Sequence, residues 1–378
     1  MPPTGDDDQL AKLSLRLQSL NDTLAEIDRR TGTRLIKSKT PVVSSEEKTA
    51  PIPVDKSKIQ ASNLDLVKVR QEVAKLVVGQ DKTVQSILCS MLSNGHVLLE
   101  AVPGVAKTLL LRTLAKVSGC QCSRIQFTVD LLPTDITGIT TYDPKRESFT
   151  TLKGPIFAHF VLADEINRAP PKTQSALLEA MQERQVTIGD TTFHLERPFF
   201  VMATQNPIEN TGTYQLPEAQ VDRFMFKIRM TYPTKEDEKK ILHQNITLRE
   251  FDSFPLQSIL TPEKILMLQE QVSQVHLSDE MEEYIVRIIE ATRHPKTAGL
   301  KLGKYLEYGG SPRASISLFI ASKAMALMHG QGFVTPQHVR DIMHPVLRHR
   351  LMLSYEAQTD NVTTDDIIDE LIKKIPVP

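Results

Sequence analysis

The sequence predicts an α/β domain with a parallel central sheet, followed by a helical C-terminal domain. Three observations predict it. Between about Asp81 and Thr231, short apolar runs alternate with stretches of helical periodicity, as expected of strands joined by crossover helices. The first run, Val97-Leu98-Leu99, leads into Ala101-Val102-Pro103-Gly104-Val105-Ala106-Lys107-Thr108, and a helical pattern follows at Leu109, Leu110 and Leu114. Past Thr234 the alternation stops and the helical period alone remains.

The elements follow in order. Leu10, Leu13, Leu17, Leu20, Leu24 and Ile27 recur at steps of three and four, so residues 1–30 read as an amphipathic helix. That stripe is shorter than the roughly three or four heptads a coiled coil needs, leaving self-association and docking on the same subunit both open. Residues 31–60 are rich in Lys, Ser, Thr and Pro and read as a flexible linker. The α/β core is expected over 61–233, opening with a helix around Leu64 that ends near Val78-Gly79-Gln80. Strands are expected near Val97–Glu100, Arg124–Thr128, Phe160–Ala163, Phe199–Ala203 and Phe226–Arg229. Hairpins are expected around Gly138–Leu152 and over Gln185–Leu195, the second turning at Gly189-Asp190. The helical domain takes 234–378. In it Met281, Tyr284, Ile285, Ile288 and Ile289 form one stripe behind a Ser278 cap, Thr335-Pro336 marks a helix start, and Thr363-x-x-Asp366 has the form of a capping box.

Composition excludes several classes. With 40% apolar and 24% charged residues the chain is ordinary for a soluble globular protein. A net charge of −1, no tryptophan and 5% aromatics argue against a dedicated nucleic-acid surface. No apolar run approaches the ~18 residues of a membrane span, and the polar start is unlike a signal peptide. Three cysteines, Cys89, Cys120 and Cys122, suit a reducing cytoplasm. Cys120-x-Cys122 lacks a second Cys or His pair at ligand spacing, so packing is the better reading than a metal site.

The segment 101–108 resembles the phosphate-binding loop G-x-x-x-x-G-K-[ST], with alanine at both glycine positions. Residues Val102, Pro103, Gly104, Val105, Ala106, Lys107, Thr108 and Leu109 would surround the phosphates, since free backbone N–H groups at a helix start favour an anion. Lys107 would neutralise the β and γ phosphates, and Thr108 would place its hydroxyl on Mg²⁺. Downstream, Phe160-Val161-Leu162-Ala163-Asp164-Glu165 reads as a buried strand ending in two carboxylates. Asp164 can hold the Mg²⁺ shell and Glu165 can polarise a water in line with the γ-phosphate. The ordered pair points to binding and hydrolysis of a nucleoside triphosphate. Ala106 is expected to be tolerated with a negative φ, and Pro103-Gly104 to supply the turn that Ala101 does not.

Further segments resemble one family. Leu178–Thr187 (LEAMQERQVT), Phe199–Pro207 (FFVMATQNP), Leu216–Phe224 (LPEAQVDRF), Asp130–Gly138 (DLLPTDITG) and Gly310–Ala314 (GSPRA) occur in the order seen in the MoxR family of AAA+ ATPases, and the resemblance covers about four-fifths of the chain. It implies an AAA+ P-loop core with a C-terminal all-α lid, ATP with Mg²⁺, and a homo-oligomeric ring, a hexamer, in the cytoplasm. It also implies chaperone-like work on a protein client carrying a von Willebrand factor A domain. By position, Asn206 matches sensor 1, Arg223 the arginine finger with Arg168 as a second inter-subunit candidate, and Arg313 sensor 2 on a lid responding to the γ-phosphate. The hairpins resemble the helix-2 and pre-sensor-1 inserts of this clade. Rival readings are a magnesium-chelatase-like or nucleic-acid-remodelling motor of the same clade and a nucleotide-gated scaffold with little turnover. A small-molecule kinase leaves Asn206, Arg223 and Arg313 unexplained.

Overall fold

The computed structural model describes residues 56–378 except Pro103, Arg146, 207–212 and 245–250. The expected helix at 1–30 and the linker up to residue 55 lie outside the described residues. Helix α1 (Lys56–Ala74) begins inside the stretch expected as linker, because Ile59, 2% exposed, already belongs to the buried stripe continued by Leu66, Val69 and Val73.

After α2 (Asp81–Leu92) the chain builds a five-stranded sheet in the order β2-β5-β8-β1-β9. Its strands are β1 (Val97–Ala101), β2 (Cys122–Gln126), β5 (Phe160–Asp164), β8 (Phe200–Gln205) and β9 (Phe226–Met230), all parallel. Two antiparallel hairpins flank the sheet, β3 (Gly138–Asp143) with β4 (Ser148–Lys153) and β6 (Gln185–Ile188) with β7 (Thr191–His194). The second turns at Gly189, whose φ of +59° suits glycine. Strand β2 lies two residues earlier than its pattern suggests. It is the edge strand with Ile125 as its one buried residue, and buried Phe127 extends the apolar alternation past the ladder.

Helices α3 (Lys107–Val117), α4 (Pro133–Thr137), α5 (Pro171–Glu183) and α6 (Glu218–Val221) complete the core. One sheet face, with Val97, Leu99, Leu162 and Met202, packs with α1, α2 and α3, and the other, with Leu98, Val161, Ala163 and Val201, covers α5. The described residues from Lys56 onward belong to one compact unit.

The C-terminal part is helical, as the pattern predicts: α7 (Lys235–Gln244), α8 (Pro262–Gln274), α9 (Asp279–Arg293), α10 (Pro312–Met328), α11 (Pro336–Leu347), α12 (Tyr355–Thr359) and α13 (Thr364–Lys374). Ser278 accepts from the Met281 N–H, and Thr363 and Asp366 cap each other reciprocally. Helix α10, rich in Ala, is the central buried rod. A short ribbon of β10 (Leu306–Tyr308) and β11 (Met352–Leu353) interrupts the all-helical pattern. Among the described residues no helix is long and apolar enough to cross a membrane.

Candidate functional site at the carboxyl edge of the sheet

Strand order brings three expected segments together. In the ladder Leu99 of β1 lies opposite Thr204 of β8, and Ala163 of β5 lies opposite Ala203. The loop after β1, the Asp164-Glu165 pair at the end of β5 and Asn206 after β8 therefore converge at the carboxyl ends of neighbouring strands, where ligands of open α/β sheets bind.

The loop agrees with the expectation for Ala101 and corrects the one for Ala106. Ala101 is still a strand residue, 1% exposed and paired with Met230, so no glycine turn is needed there. The turn falls at Gly104, with φ of +82°, where an added Cβ would meet nothing within 4 Å. Ala106 has φ of +57°, not the negative value expected, and so holds a glycine conformation despite its methyl. The left-handed step lets α3 start at Lys107, with Thr108 and Leu109 in its first turn. Among the described residues no carboxylate pairs with Lys107. A half-buried unpaired lysine at a helix start is suited to an anion, so the loop fits a triphosphate.

The two carboxylates sit in a polar net that motif reading did not find. Asp164, 7% exposed, accepts from Thr204 Oγ1 at 2.6 Å and from Arg124 Nη2 at 2.7 Å. Thr204, fully buried, also accepts from the Glu165 N–H at 2.9 Å, so one hydroxyl holds both acidic residues. Gln126 Nε2 donates to Glu165 Oε2 at 2.9 Å, and Arg124 donates to Gln126 Oε1 at 2.6 Å. Glu165 itself is held left-handed, with φ of +57°, a conformation that persists in a non-glycine residue when its surroundings fix it. Each oxygen of Asp164 keeps lone-pair capacity for a water of a Mg²⁺ shell, so the donor set fits a metal shared with phosphate rather than an all-protein cage. Asn206 is 6% exposed beside this net.

The three arginines are placed differently. Arg168 turns onto its own Glu165, Nη1 to Oε2 at 3.1 Å. Arg223 and Arg313 lie at the opposite, amino-terminal edge of the sheet. They line a cavity of about 230 Å³ together with His96, which precedes β1, and Arg184, which caps α5. A five-residue strand is about 16 Å long, more than an arginine can bridge, so neither reaches the Lys107 loop of its own chain. Arg223 is exposed and donates to the Leu178 carbonyl at 3.4 Å, whereas the neighbouring Asp222 pairs with Arg350 at 2.8 Å and Arg313 at 3.6 Å.

Comparison with known proteins agrees with this geometry. Residues 96–226 match the profile of the ATPase family associated with various cellular activities (AAA), and residues 303–371 match that of the AAA lid domain. The chain is 47% identical over 309 residues to the protein named Chaperone MoxR1 of Mycobacterium tuberculosis, covering 81% of each chain. The chain belongs to the MoxR family of AAA+ ATPases. To Protein MoxR of Paracoccus denitrificans it is 35% identical, covering 80% of this chain and 93% of that one. A crystal structure of an ATPase candidate from Cytophaga hutchinsonii superposes with a TM-score of 0.80 at 43% identity, covering 85% of this chain and 97% of the other. This MoxR-family chain thus carries the AAA+ core and lid of a nucleotide-binding ATPase family.

Proposed function

We propose that this protein is a Mg²⁺-dependent ATPase whose sites are completed between copies in a head-to-tail ring, a hexamer, and that it remodels or matures a protein client in the cytoplasm. The observation that carries this reading is the division of labour across the sheet. Lys107, Thr108, Asp164, Glu165 and Asn206 gather at the carboxyl edge, while Arg223 and Arg313 are presented at the amino edge. A heterologous contact places the amino edge of one copy on the carboxyl edge of the next, and six such contacts close a ring.

On this reading ATP with Mg²⁺ supplies the phosphoryl group and its charge neutralisation. Lys107 and the loop N–H groups hold the phosphates, with Thr108 and Asp164 serving the metal shell. Glu165 accepts the proton of the attacking water, and Asn206 orients that water or the γ-phosphate. The neighbour's Arg223 and Arg313 stabilise charge on the transferring group. Arg313 therefore acts between copies rather than as a lid sensor of its own nucleotide. The relative named as a chaperone supports the remodelling role, and the family resemblance supports a client with a von Willebrand factor A domain.

The test is steady-state ATP hydrolysis across protein concentration for wild type, Glu165→Gln and Arg223→Ala. Specific activity should rise with concentration, both variants should lose turnover about a hundredfold or more, and Glu165→Gln should still bind ATP. Concentration-independent turnover, or full activity of Arg223→Ala, would sink the inter-copy mechanism.

A further inference from the structure

One constellation outside the nucleotide site is not used by that mechanism. Beyond α11 the chain runs Arg348-His349-Arg350, three basic residues between Val346-Leu347 and Leu351. Each turns to the segment that carries Arg223 or to the strand it leads into. Arg348 Nη1 donates to the Lys227 carbonyl at 2.9 Å and His349 Nε2 to the Phe224 carbonyl at 2.9 Å. The side chain of Arg350 is 2% exposed, and all five of its guanidinium N–H groups find acceptors. Its Nε donates to Asp222 Oδ1 at 2.8 Å, and its Nη2 to the carbonyls of Asp222 at 3.3 Å and Phe224 at 2.8 Å. Its Nη1 serves the carbonyls of Met225 at 3.0 Å and Val346 at 2.6 Å.

The acceptors decide what this fork does. Two of them are the carbonyls of the residues on either side of Arg223, so the backbone from which Arg223 projects is tied at both ends. The second carboxylate oxygen of Asp222 takes Ser311 Oγ at 3.1 Å and Arg313 Nη1 at 3.6 Å. Both exposed arginines at the amino edge are therefore mounted on one ion pair that joins core to lid, with Arg350 buried and Asp222 partly so. An apolar contact would hold lid to core equally well, but it would not fix the peptide groups beside Arg223. Burial pushes the Arg350 guanidinium down to about 10, against the pull of Asp222, so it stays charged near neutral pH.

We infer that Arg350 and Asp222 are positioning residues that hold Arg223 and Arg313 as one rigid pair for delivery to a neighbouring copy, making that delivery depend on the seating of the lid on the core. The inference rests on the reading that these arginines act between copies. Lysine in place of Arg350 keeps the charge but loses the planar fork. Arg350→Lys is expected to lower kcat about tenfold or more while KM for ATP rises by less, about fivefold at most, because its own phosphate loop is intact and only the arginine contacts to ATP are weakened.

The deciding experiment mixes subunits. Arg350→Lys has an intact Glu165 and a misplaced arginine pair, and Glu165→Gln has the converse. In a one-to-one mixed ring about a quarter of interfaces join an intact Glu165 to an intact arginine pair, so the mixture should recover about a quarter of wild-type turnover from two nearly inactive proteins. Arg223→Ala mixed with Glu165→Gln is the reference. Asp222→Asn, which keeps the shape of the hub, gives the same reading should Arg350→Lys not fold. Rescue of all three variants supports the positioning role. Rescue of Arg223→Ala without rescue of folded Arg350→Lys or Asp222→Asn overturns it, as does wild-type kcat in either, and leaves the inter-copy mechanism standing. Failure to rescue Arg223→Ala overturns that mechanism and this inference with it.

Discussion

Thr204 is the residue on which the carboxylate pair turns, and Thr204→Val is the substitution that isolates it. Valine keeps the volume and the β-branch, so strand β8 and its neighbours need not move. Two hydrogen bonds are lost. The hydroxyl donates to Asp164 Oδ1 at 2.6 Å, a bond to a charged group worth about 1.5–3 kcal/mol. It also accepts from the Glu165 N–H at 2.9 Å, and a backbone donor left without a partner costs about 1–3 kcal/mol. The Glu165 N–H is only partly buried and water can replace some of that bond, so a net destabilisation of about 3 kcal/mol is expected. Urea unfolding of wild type, Thr204→Val and Thr204→Ser reads it as a shift in midpoint at constant slope. Serine keeps the hydroxyl but loses a buried methyl, so it should lose only about 1 kcal/mol. Because the lost bonds also fix where Glu165 projects, Thr204→Val should lose turnover about tenfold or more at saturating ATP. An unchanged midpoint would refute the claim that this hydroxyl holds the pair, and full turnover would refute its link to catalysis.

Two further outcomes follow from the same geometry. Ala106→Gly removes a left-handed alanine costing about 1–2 kcal/mol, partly offset by the ~0.4–1 kcal/mol of extra freedom glycine gives the unfolded chain. The variant should therefore unfold at slightly higher urea and keep ATP binding, and a lower midpoint would show the methyl to be unstrained. His96 is buried with Nε2 donating to the Met181 carbonyl and Nδ1 accepting from the Val201 N–H, which fixes the neutral ring. Burial lowers its pKa from 6.5 to about 4. The unfolded chain therefore binds the proton first as pH falls, so this contribution is complete above about pH 6.5 and is lost toward pH 4, by up to about 3 kcal/mol. His96→Gln should flatten that slope in urea titrations between pH 7 and 4, and an unchanged slope would assign it to other groups.

How much of this was legible in sequence depends on whether a role is local. The loop, the Asp164-Glu165 strand end and Asn206 are each contiguous with an apolar run, so local pattern locates them, and their convergence needs only the strand order that a parallel α/β sheet imposes. Thr204 and Gln126 are ordinary strand residues whose roles arise only because β8 and β2 flank β5. Nothing in their own surroundings marks them. Arg350 did leave a signal: three basic residues between Leu347 and Leu351 must either reach solvent or be paired in the core. That signal indicates burial with a partner but not the partner, which lies 128 residues earlier at Asp222. The sign of φ at Ala106 was not readable either. Alanine prefers the right-handed region, and the loop overrides the preference to start α3 where the lysine is needed.

The placement of Arg313 changes what the helical domain would be for. An arginine at the start of α10 that reached its own phosphate loop would make the lid a sensor of its own nucleotide. Here Arg313 stands beside Asp222, on the far side of the sheet from Lys107, and Arg350 from the same domain grips the backbone around Arg223. Any movement of the lid against the core would therefore strain the mount of the arginines offered outward before it altered the site of its own chain. A client that pulled on the lid of one copy would, on the proposed mechanism, first slow hydrolysis in the neighbour. Binding is reciprocal in such a coupling, so ATP held by the neighbour would in turn stiffen the lid of the copy that supplies the arginines. Hydrogen exchange of α10 and α11 in Glu165→Gln assemblies, with and without ATP, should show that protection in wild-type Arg350 and lose it in Arg350→Lys.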